Sequence, residues 1–235
     1  MDIIDLSLKI ENGLQTSPSQ IQTVIIDYVT REFTAPLYES PCEGFTAKLL
    51  VMTDHLGTHV DAPVHFIKGG KDISEMPLDK FIGRAYCLDF TDKSPSKLID
   101  REMLEKKLKN NNINPKEGDI VLIRAWPGKW GEKGFFSCQG LNLEAAKFLL
   151  NKKIKMIGID LRMFDIVGDK HRPLHMLFLK NEVPLIENLV NLDKLPTHKH
   201  FLFIGLPLNL GLCTASPIRA VAILDGEIAM LDSKN

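Results

Sequence analysis

The main pattern along the chain is a series of short runs rich in isoleucine, valine, leucine and phenylalanine. Such runs are typical of β-strands that are buried on both faces of a sheet, because both sets of alternating side chains must then be apolar. The sequence therefore predicts strands at Ala85–Phe90, Asp119–Arg124, Lys155–Asp160, Val183–Glu187, His200–Pro207 and Ile218–Leu224.

Two segments between these runs have the spacing of amphipathic helices. One is Asp100–Lys109, and the other begins after Asn142, a residue type that caps helices by accepting a hydrogen bond from the first turn. Strands that alternate with helices predict an α/β fold. The first third of the chain alternates less regularly, so we expect a mixed sheet rather than a simple doubly wound one.

The composition is that of a globular protein. With 235 residues, of which 44% are hydrophobic and 25% charged, we expect a single domain spanning residues 1–235. The net charge of -1 argues against binding to nucleic acid or to an anionic membrane surface. No stretch approaches the roughly 20 apolar residues of a membrane span, and the first residues do not resemble a signal peptide. The four cysteines form no C-x-x-C pair, and we expect a cytoplasmic protein.

Three histidines and an aspartate fall within eleven positions: His55, His59, Asp61 and His65. A helical turn would place His55 and His59 on one face, but Gly57 and Pro63 are poor helix formers. An extended strand would separate the two rings by roughly 13 Å, too far for one ion. We therefore expect a single turn or a sharply bent loop, in which Gly57 permits the bend and Pro63 stops it. Two imidazoles and a carboxylate are common ligands of a catalytic metal ion, so the group predicts a metal site.

A second group contains His171, His175 and Glu187. From the residues alone, these side chains fit a surface as well as a site. Glu187 and Asp160 each end a predicted strand, and ligands of α/β proteins gather beyond the carboxyl ends of strands. Spacing alone therefore leaves the function of this group open.

The string His55-Leu-Gly-Thr-His-Val-Asp-Ala-Pro-Val-His65 resembles the H-x-G-T-H-x-D-x-P-x-H signature of the metal-dependent cyclase family, and every defined position matches. That family includes bacterial kynurenine formamidases and isatin hydrolases. The resemblance continues at Ile4–Ser7, Gly118–Arg124, Gly158–Asp160, His175–Leu189 and Ser216–Ala222. It implies a swivelling β/β/α domain with a mixed central sheet and flanking helices, assembled as a homodimer or homotetramer.

The resemblance also implies roles for individual residues. His55, His59 and Asp61 would bind a first divalent ion, and Asp61 would bridge to a second ion held by His175 and Glu187. His65 would be the catalytic histidine, a proton shuttle near the ions and not a ligand. Family members use zinc or manganese, and imidazole and carboxylate donors suit both, so we expect zinc first and manganese second.

The expected reaction is hydrolysis of an amide C–N bond in a small molecule by metal-activated water, with an aryl formamide such as N-formylkynurenine as the best single substrate. Phe66 and Trp126 are candidate substrate-binding residues, because aromatic rings suit an aryl group. Met163 and Ala125–Trp126 depart from the residues of many relatives, which leaves the substrate open. Two alternatives remain: a hydrolase or cyclase acting on a cyclic amide, imide or lactone, and a non-catalytic metal or small-ligand binding protein of the same fold.

Overall fold

The computed structural model describes residues 2–224. Within this range the strands are β1 (Ile3–Asp5), β2 (Val24–Val29), β3 (Ala47–Val51), β4 (His59–Asp61), β5 (Ile82–Asp89), β6 (Ile120–Arg124), β7 (Met156–Ile159), β8 (Leu185–Glu187), β9 (Phe201–Ile204), β10 (Ala215–Pro217) and β11 (Val221–Ile223). The α-helices are α1 (Arg31–Thr34), α2 (Arg101–Asn110), α3 (Leu143–Asn151) and α4 (Pro173–Lys180). Among these residues, no helix has the length and apolar character needed to cross a membrane.

Nine of these strands form one mixed sheet in the order β1-β11-β9-β5-β6-β7-β8-β4-β10, and β2 and β3 form a separate ribbon. Strands β5 to β8 run parallel to one another, whereas β4 pairs antiparallel with both β8 and β10. All six predicted strands are present, although β9 ends at Ile204, before the predicted Pro207. The predicted α/β fold with a mixed central sheet and flanking helices is confirmed.

The central strands are buried on both faces, as their composition predicts. On β6, Val121 packs in the cluster beneath α2, α3 and α4, whereas Ile120 and Leu122 pack in the cluster on the other side of the sheet. All three side chains are fully buried. The predicted cap of α3 is also present, because the side chain of Asn142 accepts a hydrogen bond from the backbone N–H of Ala145.

The parallel and antiparallel parts of the sheet meet at β8. This strand is parallel to β7 and antiparallel to β4, and the register of β4 and β8 places His59 directly opposite Glu187. Residues opposite each other on antiparallel strands have Cβ atoms about 4.5–5.5 Å apart. The pairing therefore brings together side chains that are 128 positions apart in the sequence.

Candidate metal centre

The first group of predicted ligands lies on a bend, a short strand and a 3-10 helix. The chain bends before β4, where Gly57 has a φ of 65°, a left-handed conformation that favours glycine. Strand β4 then carries His59 and Asp61, two residues apart and so on one face. The expected bend at Gly57 is present. Pro63 does not stop it, because it lies beyond β4 and begins the 3-10 helix that ends at His65.

Two histidines of this group have one ring nitrogen held by a neighbour and the other turned toward Asp61. Nδ1 of His59 donates to the carbonyl oxygen of Gly57, at 2.9 Å. Nε2 of His55 lies 2.8 Å from Oγ1 of Thr214, whose own hydroxyl donates to a neighbouring carboxylate and so accepts from the ring. Nε2 of His59 and Nδ1 of His55 then lie 3.4 and 2.9 Å from Oδ1 of Asp61. When neutral, both rings turn a lone pair toward the carboxylate.

The second group of predicted ligands comes from α4 and β8. Nδ1 of His175, in the first turn of α4, donates to the carboxylate of Asp165. Asp165 also accepts from the backbone N–H of Leu174, at 2.7 Å, so the same carboxylate holds both the helix start and the ring. Nε2 of His175 then lies 3.5 Å from Oδ2 of Asp61 and 3.3 Å from Oε1 of Glu187. An acceptor behind each imidazole is typical of histidines that bind metals.

The distances from His59 and His175 to Asp61 are longer than direct hydrogen bonds and fit a shared cation. Nε2 of His59 lies 3.4 Å from Asp61 and 3.6 Å from Glu187, longer than an ordinary N–H···O bond. Two donors each about 2.1 Å from one tetrahedral ion lie about 3.4 Å apart. Among the residues of the described range, both carboxylate oxygens of Asp61 are buried without a hydrogen-bond partner. A buried charge is costly unless it is paired, so these residues fit a divalent ion.

Two overlapping groups of side chains in residues 2–224 have ligand atoms close enough to hold an ion. One group is His55, Asp61 and His65, and the other is His59, Asp61 and Glu187, with all ligand atoms of a group within 4.8 Å of one another. Asp61 belongs to both groups, as a bridging carboxylate must. Because His65 is itself a member of the first group, its expected role as a catalytic residue and not a ligand stays a prediction.

The buried charges of the cluster shift one another's pKa values. Burial lowers the pKa of His59, but the neighbouring carboxylates of Asp61 and Glu187 raise it to about 9. Burial likewise opposes charge on His175, while contacts with Asp165, Asp61 and Glu187 raise its pKa well above the usual value. Burial raises the pKa of Asp61, but the imidazoles around it hold that pKa well below its usual range. Ligand nitrogens must lose their protons before they bind an ion, so ion binding here would release protons.

His65 and Phe66 line a cavity of about 360 Å³ together with the metal donors His55, His175 and Glu187. The ring centroid of His65 is 4.1 Å from that of His55, and the centroid of Phe66 is 4.9 Å from that of His175. Burial lowers the pKa of His65 to about 4, against the charge of a nearby carboxylate. The His65 ring is therefore neutral at neutral pH and can accept a proton.

Trp126, the other predicted substrate-binding residue, does not line this cavity. It is 8% exposed, and its Nε1 donates to the carbonyl oxygen of Lys129, at 2.8 Å. Its ring packs against Phe135 and lines a separate cavity of about 650 Å³. The glycine-rich segment after Trp126 folds back over its ring, with Gly128 and Gly134 against it.

Several residues of the site had no signal in the sequence. Asp165 lies ten positions before His175, and only the fold of the segment between β7 and α4 brings the two together. Arg162 and Arg172 line the cavity from the same segment. Gln20, far away in the sequence, also lines it and donates to the backbone carbonyl of His55, at 2.8 Å.

Curated relatives are similar in sequence to this chain over most of their length. A kynurenine formamidase of Bacillus cereus is 31% identical over 222 residues, which are 93% of this chain and 95% of the relative. A kynurenine formamidase of Paracidovorax citrulli is 30% identical over 172 residues, which are 73% of this chain and 77% of the relative.

Solved structures share the fold over nearly the whole chain. Isatin hydrolase A from Labrenzia aggregata, bound to benzyl benzoate, has a TM-score of 0.81 and 21% identity, covering 96% of this chain and 94% of the other. An isatin hydrolase bound to the product analogue thioisatinate has a TM-score of 0.78 and 24% identity, covering 94% and 91%. A family profile described as "Putative cyclase" matches residues 4–166, more than half of the sequence. The chain therefore belongs to the putative cyclase family, as its motif predicts.

Proposed function

We propose that this enzyme hydrolyses an aryl formamide such as N-formylkynurenine. The predicted enzyme class is confirmed: with kynurenine formamidases as relatives and a His/Asp/Glu cluster in place, the chain is a metal-dependent hydrolase of an amide C–N bond. The observation that carries the proposal is the convergence of His59, His175 and Glu187 on the buried, unpartnered oxygens of Asp61. Amide hydrolysis at neutral pH needs such a centre, because uncatalysed water is a weak nucleophile.

The donor set supports two ions that share Asp61. We assign His55, His59 and Asp61 to one ion, and Asp61, His175 and Glu187 to the other. Imidazole and carboxylate donors suit zinc, our first choice, and manganese, our second. Divalent ions bound in such a centre lower the pKa of water from about 15.7 toward 7 and polarise a carbonyl oxygen. The chain itself contributes rings whose orientation is fixed before the substrate arrives.

His65 is the proposed proton shuttle. Its low pKa leaves a lone pair free at neutral pH to collect a proton from the nucleophile. An amide nitrogen is a poor leaving group until it is protonated, and His65 would deliver the proton to that nitrogen. Such transfer typically contributes about 10²–10⁴ in rate.

Phe66 is the proposed contact for the aryl ring of the substrate. Its ring centroid lies 4.4 Å from that of His65 and 4.9 Å from that of His175, so it is next to the donors and not remote from them. Aromatic rings pair at such distances in offset or edge-to-face arrangements. The cavity volume of about 360 Å³ falls in the usual range for small-molecule sites.

We also propose that the enzyme is a single-domain cytoplasmic protein that assembles as a homodimer or homotetramer. Exposed apolar side chains cluster on the ribbon of β2 and β3 and the segment between them, and a two-stranded ribbon is marginal on its own. The most exposed of these side chains are Ile26, Tyr28, Phe33, Leu37 and Leu50. The four cysteines, all free, are typical of a reducing compartment. Light scattering should find more than one chain per particle, and Phe33→Asp should shift the particle toward one chain.

The substrate proposal is tested by hydrolysis assays on zinc-loaded and manganese-loaded protein. One panel contains N-formylkynurenine and substituted formanilides, and the other contains cyclic imides and lactones. We expect hydrolysis of the formamides that a chelator abolishes and added metal restores. Faster opening of the cyclic compounds would favour the ring-opening alternative, and no turnover of any acyl compound by metal-replete protein would favour a binding protein.

A further inference from the structure

Two arginines line the cavity that holds the metal donors, and the metal centre does not account for them. Arg162 and Arg172 both lie in the segment between β7 and α4 and share the cavity with His65 and Phe66. Both side chains are half-buried. A guanidinium group is always charged at physiological pH, so each arginine brings a permanent positive charge to the cavity.

Arg162 has a donor that no residue of the described range accepts from. Its Nε is buried and, within residues 2–224, has no hydrogen-bond partner. The guanidinium carbon lies 5.9 Å from the ring centroid of Phe136, within the range of a cation–π contact. A buried donor without an acceptor is costly, particularly on a charged group.

Arg172 is held by a weak acceptor in an unfavourable backbone conformation. Its Nη1 donates to Sδ of Met163, at 3.6 Å, and thioether sulfur is a poor acceptor. Its φ of 49° and ψ of 50° lie in the left-handed region, where residues other than glycine are strained. Strain of this kind persists at sites where the surrounding structure uses it. Here the strained residue directly precedes Pro173, at the start of the helix that carries His175.

Other arginines of the chain show what these two lack. Arg124 pairs with Asp89 at 2.7 Å, and Arg101 pairs with Glu105 at 2.8 Å. In the described part of the chain, neither Arg162 nor Arg172 forms an ion pair with any carboxylate. Both guanidinium groups therefore line the cavity without a carboxylate partner among the described residues, although Asp54 and Glu187 line the same cavity.

We propose that Arg162 and Arg172 bind a carboxylate group of the substrate, remote from the amide that is hydrolysed. The proposal rests on the proposed function and narrows it to amides that carry an anionic group. The planar guanidinium matches a carboxylate with two parallel hydrogen bonds, which orients the substrate as well as binding it. Met163 lies against Arg172 and so belongs to this subsite.

The test compares two substrates that differ only by one carboxylate group, formanilide and N-formyl-3-aminobenzoate. In the metal-loaded wild-type enzyme, kcat/KM should be higher for the carboxylate. Arg162→Gln and Arg172→Gln should each lower kcat/KM for the carboxylate about 10–100-fold more than for formanilide, as expected for loss of a charged hydrogen bond. Arg101→Gln, an exposed arginine on α2, is the matched control and should change neither value. Equal losses for the two substrates in the cavity variants would overturn the proposal.

A binding measurement separates this proposal from the proposed function. Calorimetry follows 3-aminobenzoate titrated into metal-depleted protein, so that no ion can bind the carboxylate. We expect binding by wild type and Arg101→Gln, and at least tenfold weaker binding by Arg162→Gln and Arg172→Gln. Binding that all four proteins share equally, or that none shows, would contradict the subsite. If the enzyme hydrolyses no amide, the proposed function is wrong. Calorimetry then still shows whether the two arginines bind a carboxylate.

Discussion

The two parts of the metal centre reach Asp61 by different routes. His55, His59 and Asp61 come from seven consecutive residues, and a single bend at Gly57 brings them together. His175 and Glu187 come from a helix and a strand, and they meet the first part only through the pairing of β4 with β8 and the position of α4. The first part depends on local backbone geometry, whereas the second depends on tertiary structure. Substitutions in the two parts should therefore have different effects.

Loss of a ligand from the first part should have the largest effect. Nε2 of His59 faces both Asp61 and Glu187, so His59→Ala should lose metal and turnover together. The loss of activity should be larger than the rate factor of about 10²–10⁴ that proton transfer alone contributes. Mass spectrometry of bound metal and formanilide hydrolysis measure the two effects. A variant that keeps its full metal content would contradict the assignment of His59.

His65→Ala should lower turnover by about 10²–10⁴-fold while metal content is kept, because a proton shuttle transfers protons and does not hold the ions. The same two measurements apply. His198→Ala, which removes an exposed histidine, is the control and should change neither. Because His65 lies in a group that could itself hold an ion, equal metal loss in His65→Ala and His59→Ala would make it a ligand.

In the second part, Asp165→Asn tests the carboxylate that accepts a hydrogen bond from Nδ1 of His175. The change keeps the shape of the side chain but removes the charge that holds the ring, so we expect metal affinity to fall about 10–100-fold. Zinc titration by calorimetry should show one weakened site and one unchanged site. Asp169→Asn, on the same segment, should bind zinc like the wild type. If Asp165→Asn binds zinc at both sites as tightly as the wild type, Asp165 only caps α4 and does not support metal binding.

The smallest effect on the metal centre is expected at Asp160, which follows β7. Burial raises the pKa of this carboxyl to about 7, although hydrogen bonds from the N–H groups of Ala125 and Trp126 lower it. The folded state therefore binds the proton more tightly than the unfolded state. The stability this contributes is present below about pH 4 and is lost as the pH rises toward 7.

The measurement is urea unfolding of metal-free wild type and Asp160→Asn at pH 5 and pH 8. The stability difference between them should shift in favour of the variant by roughly 2–3 kcal/mol between these pH values. Zinc content should be unchanged. A difference that is flat with pH would mean that Asp160 ionises normally when folded.

The hydrophobic runs predict six of the eleven strands in residues 2–224, and helical spacing predicts α2 and α3, because strand burial and helix caps are local properties. They do not predict that β4 lies between β8 and β10, since three residues such as His59–Asp61 are too few to show a pairing preference. The mixed sheet is predicted only in outline. Its order depends on long-range packing that no single run encodes.

The site divides in the same way. The spacing of residues 55–61 predicts a metal site, whereas the roles of His175 and Glu187 are predicted only by resemblance to a family. Asp165, Arg162 and Arg172 are not predictable, because their distances to the cavity depend on the path of a loop. Trp126 lines a different cavity from His65 and Phe66, so its expected substrate-binding role stays a prediction; aromatic character does not indicate which cavity a ring lines.

Anomalous diffraction at the zinc edge, on crystals of the zinc-loaded enzyme, tests the account most directly. We predict two peaks, each within coordination distance of the Asp61 carboxylate. His55 and His59 should complete one site, and His175 and Glu187 the other. Zinc bound only at positions away from Asp61, or no zinc at all, would contradict the account.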